Sequence, residues 1–215
     1  MSLTQIYRLI FALCGLLGVS MQLSQSGLGM LLYYTVLSNI LVFVSHFYHI
    51  YLEAKGGSIN QHPLLVRIKG STTLVITLTF LVYHFMLAPK ASAGDYWNIR
   101  NFLVHYIAPL GMILDTIIFD RREVYKLLDP IRWIIMPIFY CIWSLFNGLL
   151  IKWPIPGSSV SPFPYFFLNV PKEGWPYVLT YILVLTLFYI LLGYLLLLLK
   201  KFVGPKKAKK VLAPF

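Results

Sequence analysis

Six apolar runs, at 6–23, 30–52, 71–88, 101–119, 131–151 and 177–199, divide this chain. Each is long enough to cross the roughly 30 Å hydrocarbon core of a bilayer at about 1.5 Å of helical rise per residue. A backbone in lipid has no water to bond, so a run of this length specifies a helix that closes its own hydrogen bonds. With 59% apolar and 12% charged residues and a mean hydropathy of +0.75, the chain lies far outside the range of soluble domains. The expected fold is an all-α membrane protein, a single domain of six transmembrane helices over 1–215 with a basic tail at 200–215. The first run is read as a span because no small-residue cleavage site follows it at 21–26.

Lys and Arg sort by loop. With the N-terminus in the cytoplasm, the inner side holds Arg8, Lys55, Arg67, Lys69, Arg121, Arg122, Lys126, Arg132, Lys200, Lys201, Lys206, Lys207, Lys209 and Lys210. That is 14 of the 18, and only Lys90, Arg100, Lys152 and Lys172 fall outside. Cation excess marks the cytoplasmic side, so both termini are expected in the cytoplasm of a multi-pass cell-membrane protein. The formal charge of +11 is then mostly topology, with no soluble basic face to bind nucleic acid. The tail is expected to rest on anionic headgroups. Cys14 and Cys141 lie inside apolar runs, which excludes a disulfide framework and does not support a thiolate nucleophile.

Two connections stand out. Segment 56–70 is small and basic and is expected to be a mobile inner loop. Segment 152–176 carries six prolines around the aromatic run 163–167. It is too apolar to stay in water, and is expected to fold back as a lid over the outer end of the bundle.

Polar groups inside a span are costly, and they usually turn inward and mark a site. Thr35 and His105 each lie about five residues, roughly 8 Å, inside their spans, and His84 and Asn147 fall near the same depth. Asn39 is one turn below Thr35 on the same face. Pro109, four residues after His105, leaves the His105 carbonyl without its helical donor and bends the span there. A hydroxyl beside an imidazole is the minimum for nucleophilic acyl transfer, the histidine taking the proton and returning it to the leaving group. Asn39, His84 and Asn147 are candidate donors to a developing oxyanion or candidate substrate contacts. The bland alternatives are a Thr bonded to its own i−4 carbonyl and a packed histidine.

Deeper in the membrane, Asp115 falls near the depth of His46, and a structural hydrogen bond tying two helices is the expected role of that pair, ahead of a proton relay. No metal is expected at His46, His49 and His62, because no carboxylate or thiolate accompanies them at ligand spacing. No cofactor is required by the pattern, and nothing in it demands a haem between His84 and His105.

The segments YYTVLSNILV (33–42), NFLVHYIAPLGMILDTIIFD (101–120) and PFPYFFLNVPKEGW (162–175) resemble the bacterial six-span relatives of the androgen-induced and ADTRP-type (FAR-17a-like) membrane proteins. The eukaryotic branch of that family consists of threonine hydrolases that cleave fatty acid esters of hydroxy fatty acids with one intramembrane Thr and one intramembrane His. The resemblance implies that Thr35 is the nucleophile and His105 the base, that the substrate is a lipid ester, and that the partners are membrane lipids. With no Asp or Glu at the depth of His105, a catalytic pair here is expected to be a dyad. The alternative from another class is a non-enzymatic binding or transport subunit, similar to the six-span substrate-binding components of bacterial vitamin importers. Those show an Ala-x-x-x-Ala docking face on the first span, where this chain has Ala12, Gly15 and Gly18.

Overall fold

The apolar runs become six long helices in the computed structural model, which describes residues 1–206. They are α1 (Leu3–Ser26), α2 (Tyr34–Ala54), α3 (Pro63–Lys90), α4 (Ile99–Phe119), α5 (Asp129–Ile151) and α6 (Trp175–Phe202). All are long and apolar enough to cross a membrane, and no strand occurs among the described residues, so this is an all-helical, multi-pass membrane protein. Of the expected basic tail, Lys207, Lys209 and Lys210 lie outside the described residues.

Local chemistry sets the helix ends. Ser2 and Gln5 form a reciprocal capping box at the start of α1, and Asn98 caps α4 by accepting from the Arg100 amide. Pro63 begins α3, a position where its missing N–H costs nothing. The expectation of a mobile loop across 56–70 is therefore corrected: 63–70 is helix. Its basic residues are held by the protein, Arg67 by Asp129 and Lys69 by Asp115 and Asp120. At the other end of the bundle, Leu28–Leu32 forms a 3-10 turn and α2 starts at Tyr34, so Thr35 sits in the first helical turn rather than five residues in.

Helices α1–α4 bury a third to half of their spans, whereas α5 and α6 present mostly exposed apolar side chains, the pattern of helices facing lipid. Ala12, Gly15 and Gly18 of α1 are buried, the two glycines against Leu103, Val104 and Ala108 of α4. A Cβ on Gly18 would stand 2.6 Å from the Val104 side chain, so the glycine permits the close approach of these two helices.

At the end bearing the basic loops, six charges are gathered inside the protein. Lys69 Nζ lies 2.6 Å from both Asp115 Oδ2 and Asp120 Oδ1, while Arg8 bonds Asp115 at 3.1 Å and also pairs with Glu53. Lys200 Nζ donates to the backbone carbonyls of Thr116, Ile117 and Asp120, which satisfies the C-terminal turn of α4. Arg8, Lys69 and Lys200, counted on the inner side for topology, are thus also buried network members. His46 Nδ1 stands 3.5 Å from Asp115 Oδ2, and neither ring nitrogen of His46 completes a hydrogen bond. The expected His46–Asp115 pair is therefore a contact at the edge of a larger network in which Arg8 and Lys69 hold the carboxylate.

Candidate active site

The opposite end, covered by the loop after α5, carries the candidate site. Three spans pass through a π-helical turn there, at Tyr83–Leu87, Leu103–Ile107 and Asn147–Ile151. Two of these turns centre on the residue four before a proline, Phe85 before Pro89 and His105 before Pro109, whose carbonyl meets the proline ring and loses its helical donor. The third ends on Lys152, which is left-handed at φ 59° and closes on the Asn147 carbonyl at 2.6 Å. A π turn widens the helix and turns one side chain out of the usual register. In α4 that side chain is His105.

The structure brings Thr35 and His105 together: Thr35 Oγ1 lies 3.3 Å from His105 Nε2, and both residues are buried. Thr72, Thr73, Thr77, Thr79 and Thr180 each bond their own i−4 carbonyl, the ordinary behaviour of a membrane threonine, but Thr35 meets the imidazole instead. On the far side of the ring, His105 Nδ1 is 2.7 Å from Asn101 Oδ1 and 3.2 Å from the Asn101 carbonyl. The Asn101 amide nitrogen donates to Tyr96 O at 2.9 Å, so its oxygen is the atom facing the ring. Two acceptors at Nδ1 assign the proton to that nitrogen and leave Nε2 as the acceptor for the threonine hydroxyl. Tyr83 stacks on the imidazole at 3.7 Å and fixes its plane.

The expected dyad is thus a Thr–His–Asn triplet. Asn101 orients the ring with an amide oxygen where a carboxylate is the usual partner. Its signal was its position one turn before His105 on the same helix face.

The other expected site residues lie elsewhere. His84 points to the exposed flank of α3 and bonds Tyr106 at 3.1 Å, away from the pair. Asn147 donates to the carbonyls of Trp153 and Pro162 and accepts from the Trp153 amide, so it fastens the long loop. Asn39 spends its amide on Thr35 O at 2.8 Å and Val104 O at 2.9 Å. Asn39 and Asn147 have no amide hydrogen left for an oxyanion, and the His84 ring lies on the exposed flank, because similar depth on neighbouring helices does not fix the direction in which a side chain points.

Thr35 lines an apolar cavity between α2, α3, α5, α6 and the loop, with about 780 Å³ of empty space including its open mouth. Among its lining residues none is charged, and Ile138, exposed on the flank of α5, brings the rim to the lipid-facing side. The loop closes the cavity at its end: Phe163, Tyr165, Phe167 and Leu168 are buried against Val178, with Tyr34 and Tyr140 alongside. Tyr33 donates to Pro156 O at 2.9 Å, and Lys90 lies 3.8 Å over the Phe166 ring, holding the loop down. Tyr165 lines the same cavity as Thr35, and burial raises the pKa of its phenol above the ordinary value. It therefore remains a proton donor. No group of three or more His, Cys, Asp or Glu side chains with metal-holding geometry occurs among the described residues.

The fold and this site together define a class, a six-helix membrane protein with a Thr–His–Asn triplet beside an apolar, loop-covered cavity. No protein-family model, curated protein or solved structure matches the chain.

Proposed function

We propose that this protein is an intramembrane hydrolase of lipid esters, acting on fatty acid esters of hydroxy fatty acids or similar lipids, with Thr35 as nucleophile and His105 as base. The observation that carries the reading is the oriented triplet, Asn101 Oδ1 to His105 Nδ1 at 2.7 Å and His105 Nε2 to Thr35 Oγ1 at 3.3 Å, set beside an uncharged, apolar-walled cavity. The resemblance of 33–42, 101–120 and 162–175 to the bacterial six-span relatives of the ADTRP-type proteins, whose eukaryotic branch consists of threonine hydrolases, is in keeping with this reading.

In this mechanism Thr35 Oγ1 attacks the ester carbonyl carbon as its proton passes to His105 Nε2. Asn101 accepts from Nδ1–H and keeps the ring aligned through the imidazolium stage. The tetrahedral intermediate collapses, and His105 returns the proton to the departing alkoxide. Water, deprotonated by the same nitrogen, then releases the acid from acyl-Thr35. With Asn39, His84 and Asn147 engaged elsewhere, the Tyr165 phenol takes the role of oxyanion donor.

The cation distribution supports both termini in the cytoplasm, which puts the site near the outer face of a bacterial cell membrane and the tail on anionic headgroups. Membrane lipids are the partners and nucleic acid is not. The rival reading, a binding or transport subunit, is disfavoured because the small-residue face of α1 is occupied by α4 and is not free to dock another chain. Purified protein in lipid nanodiscs tests the proposal with a panel of fluorogenic esters of increasing chain length. Turnover that falls at least about 10²-fold in His105→Ala supports it. Absence of cleavage across the panel by the unmutated protein refutes it.

A further inference from the structure

Asn39 is buried on α2, one turn below Thr35, and its single amide group bridges two backbone carbonyls on different helices. Nδ2 lies 2.8 Å from Thr35 O and 2.9 Å from Val104 O. The second of these carbonyls has a particular need. In the π turn of α4 the Ala108 amide closes on Leu103 O, so the Ala108 donor that an α-helix would offer to Val104 O is spent. The next donor in the π register belongs to residue 109, and Pro109 has no N–H. Val104 O is thereby orphaned inside the membrane, where an unsatisfied backbone group is costly, and Asn39 supplies the missing donor. The side-chain oxygen of Asn39 is buried and completes no bond, so the residue is placed for what its nitrogen does.

Those two carbonyls belong to the residue that carries the hydroxyl and to the residue immediately before the imidazole. We infer that Asn39 is a positioning residue that locks the π register of α4 against the first turn of α2, and so holds His105 Nε2 in line with Thr35 Oγ1. The role rests on the hydrolase reading for its catalytic consequence, but the clamp itself is a statement about geometry. A helix that loses this donor gives Val104 O the Ala108 amide by relaxing toward the α register, which moves the unmet carbonyl to His105, where Pro109 has no N–H. That relaxation swings the histidine away from the threonine without unfolding the bundle.

The test uses Asn39→Ala, Pro109→Ala and the double variant in full-length protein in nanodiscs. Pro109→Ala restores an amide donor to α4, so the double variant regains the thermal midpoint lost in Asn39→Ala. Its kcat nevertheless stays low, because with Ala in place of Pro109 every carbonyl of this stretch is bonded in the ordinary α register, and neither the proline nor Asn39 remains to hold the less stable π turn. The expected pattern is a kcat reduced about 10²-fold in Asn39→Ala and in the double variant, with KM within about twofold of the unmutated protein. If kcat recovers together with the midpoint, Asn39 is merely structural and the inference is overturned. Should the unmutated protein cleave no ester, the hydrolase reading fails while the clamp is still read out by nitrogen NMR of His105. A bonded Nε2 signal in the unmutated protein that becomes a free-imidazole signal in Asn39→Ala and in the double variant supports the clamp, and a signal unchanged by Asn39→Ala overturns it.

Discussion

Replacing Lys69 by Met keeps the aliphatic stem and removes one charge from a place where charge is expensive. Lys69 is 1% exposed and bridges Asp115 and Asp120, both 0% exposed, at 2.6 Å each. With Lys69 present, Arg8, Lys69 and Lys200 balance Glu53, Asp115 and Asp120. Without it, two cations face three carboxylates, and Asp120 keeps only Arg8 at 3.8 Å as a charged side-chain partner in the network. Removing one partner from a buried pair costs about 3–5 kcal/mol, far more than the pair contributes in place of packed apolar groups. At about 2.1 cal/mol/K per residue, unfolding 215 residues carries roughly 0.45 kcal/mol/K, so a loss of about 4 kcal/mol lowers the midpoint by about 9 °C. Because helices in lipid persist after tertiary contacts are lost, the true entropy is smaller and this shift is a lower bound. Thermal exposure of Cys14 and Cys141 to a thiol-reactive dye reads the midpoint directly, since both are free thiols within spans. The double variant Lys69→Met/Asp120→Asn restores charge balance and is expected to recover about half of the loss. A midpoint for Lys69→Met within about 2 °C of the unmutated protein would contradict the described network.

Asn101→Ala is expected to slow ester turnover about 10-fold to 10²-fold with little change in KM, because the imidazole loses the acceptor that fixes its tautomer; equal kcat would remove Asn101 from the site. Asn147→Ala releases the carbonyls of Trp153 and Pro162, and is expected to cost about 1–3 kcal/mol and to raise hydrogen exchange across 152–174; unchanged exchange would mean that the loop is held by its aromatic packing alone. His84→Ala, at an exposed position whose ring bonds Tyr106 rather than the pair, is expected to leave turnover within about twofold and stability within about 0.5 kcal/mol, and a large loss of turnover would return His84 to the site.

The spans were legible because hydrophobic length is a direct physical requirement of the bilayer. The approach of Thr35 to His105 was legible too, since inward-facing polar groups at matched depth have few other places to go. Depth, however, says nothing of azimuth, and that is why His84 and Asn147 were grouped with the pair. The π turns at 83–87 and 103–107 rotate side chains relative to an ideal helix, and only the prolines at 89 and 109 hint at them. Asn101 and the role of Asn39 depended on that rotation. The charge network was hidden for a different reason: Arg8, Lys69 and Lys200 sit near span ends, where the positive-inside rule already accounts for a cation, and nothing in the order of residues says that a side chain turns inward. Burial of the long loop followed from its composition alone, because Phe163, Tyr165 and Phe167 are too apolar to leave in water.

The most direct measurement is intact-protein mass spectrometry with peptide mapping after reaction with a long-chain activated phosphonate in nanodiscs. Unmutated protein is predicted to gain one phosphonyl group on Thr35, Thr35→Ala to gain none while keeping its helical spectrum and thermal midpoint, and ester cleavage to vanish with the adduct. A Thr35→Ala protein that is still labelled, or that still cleaves the ester at the full rate, would contradict the assignment of Thr35 as nucleophile.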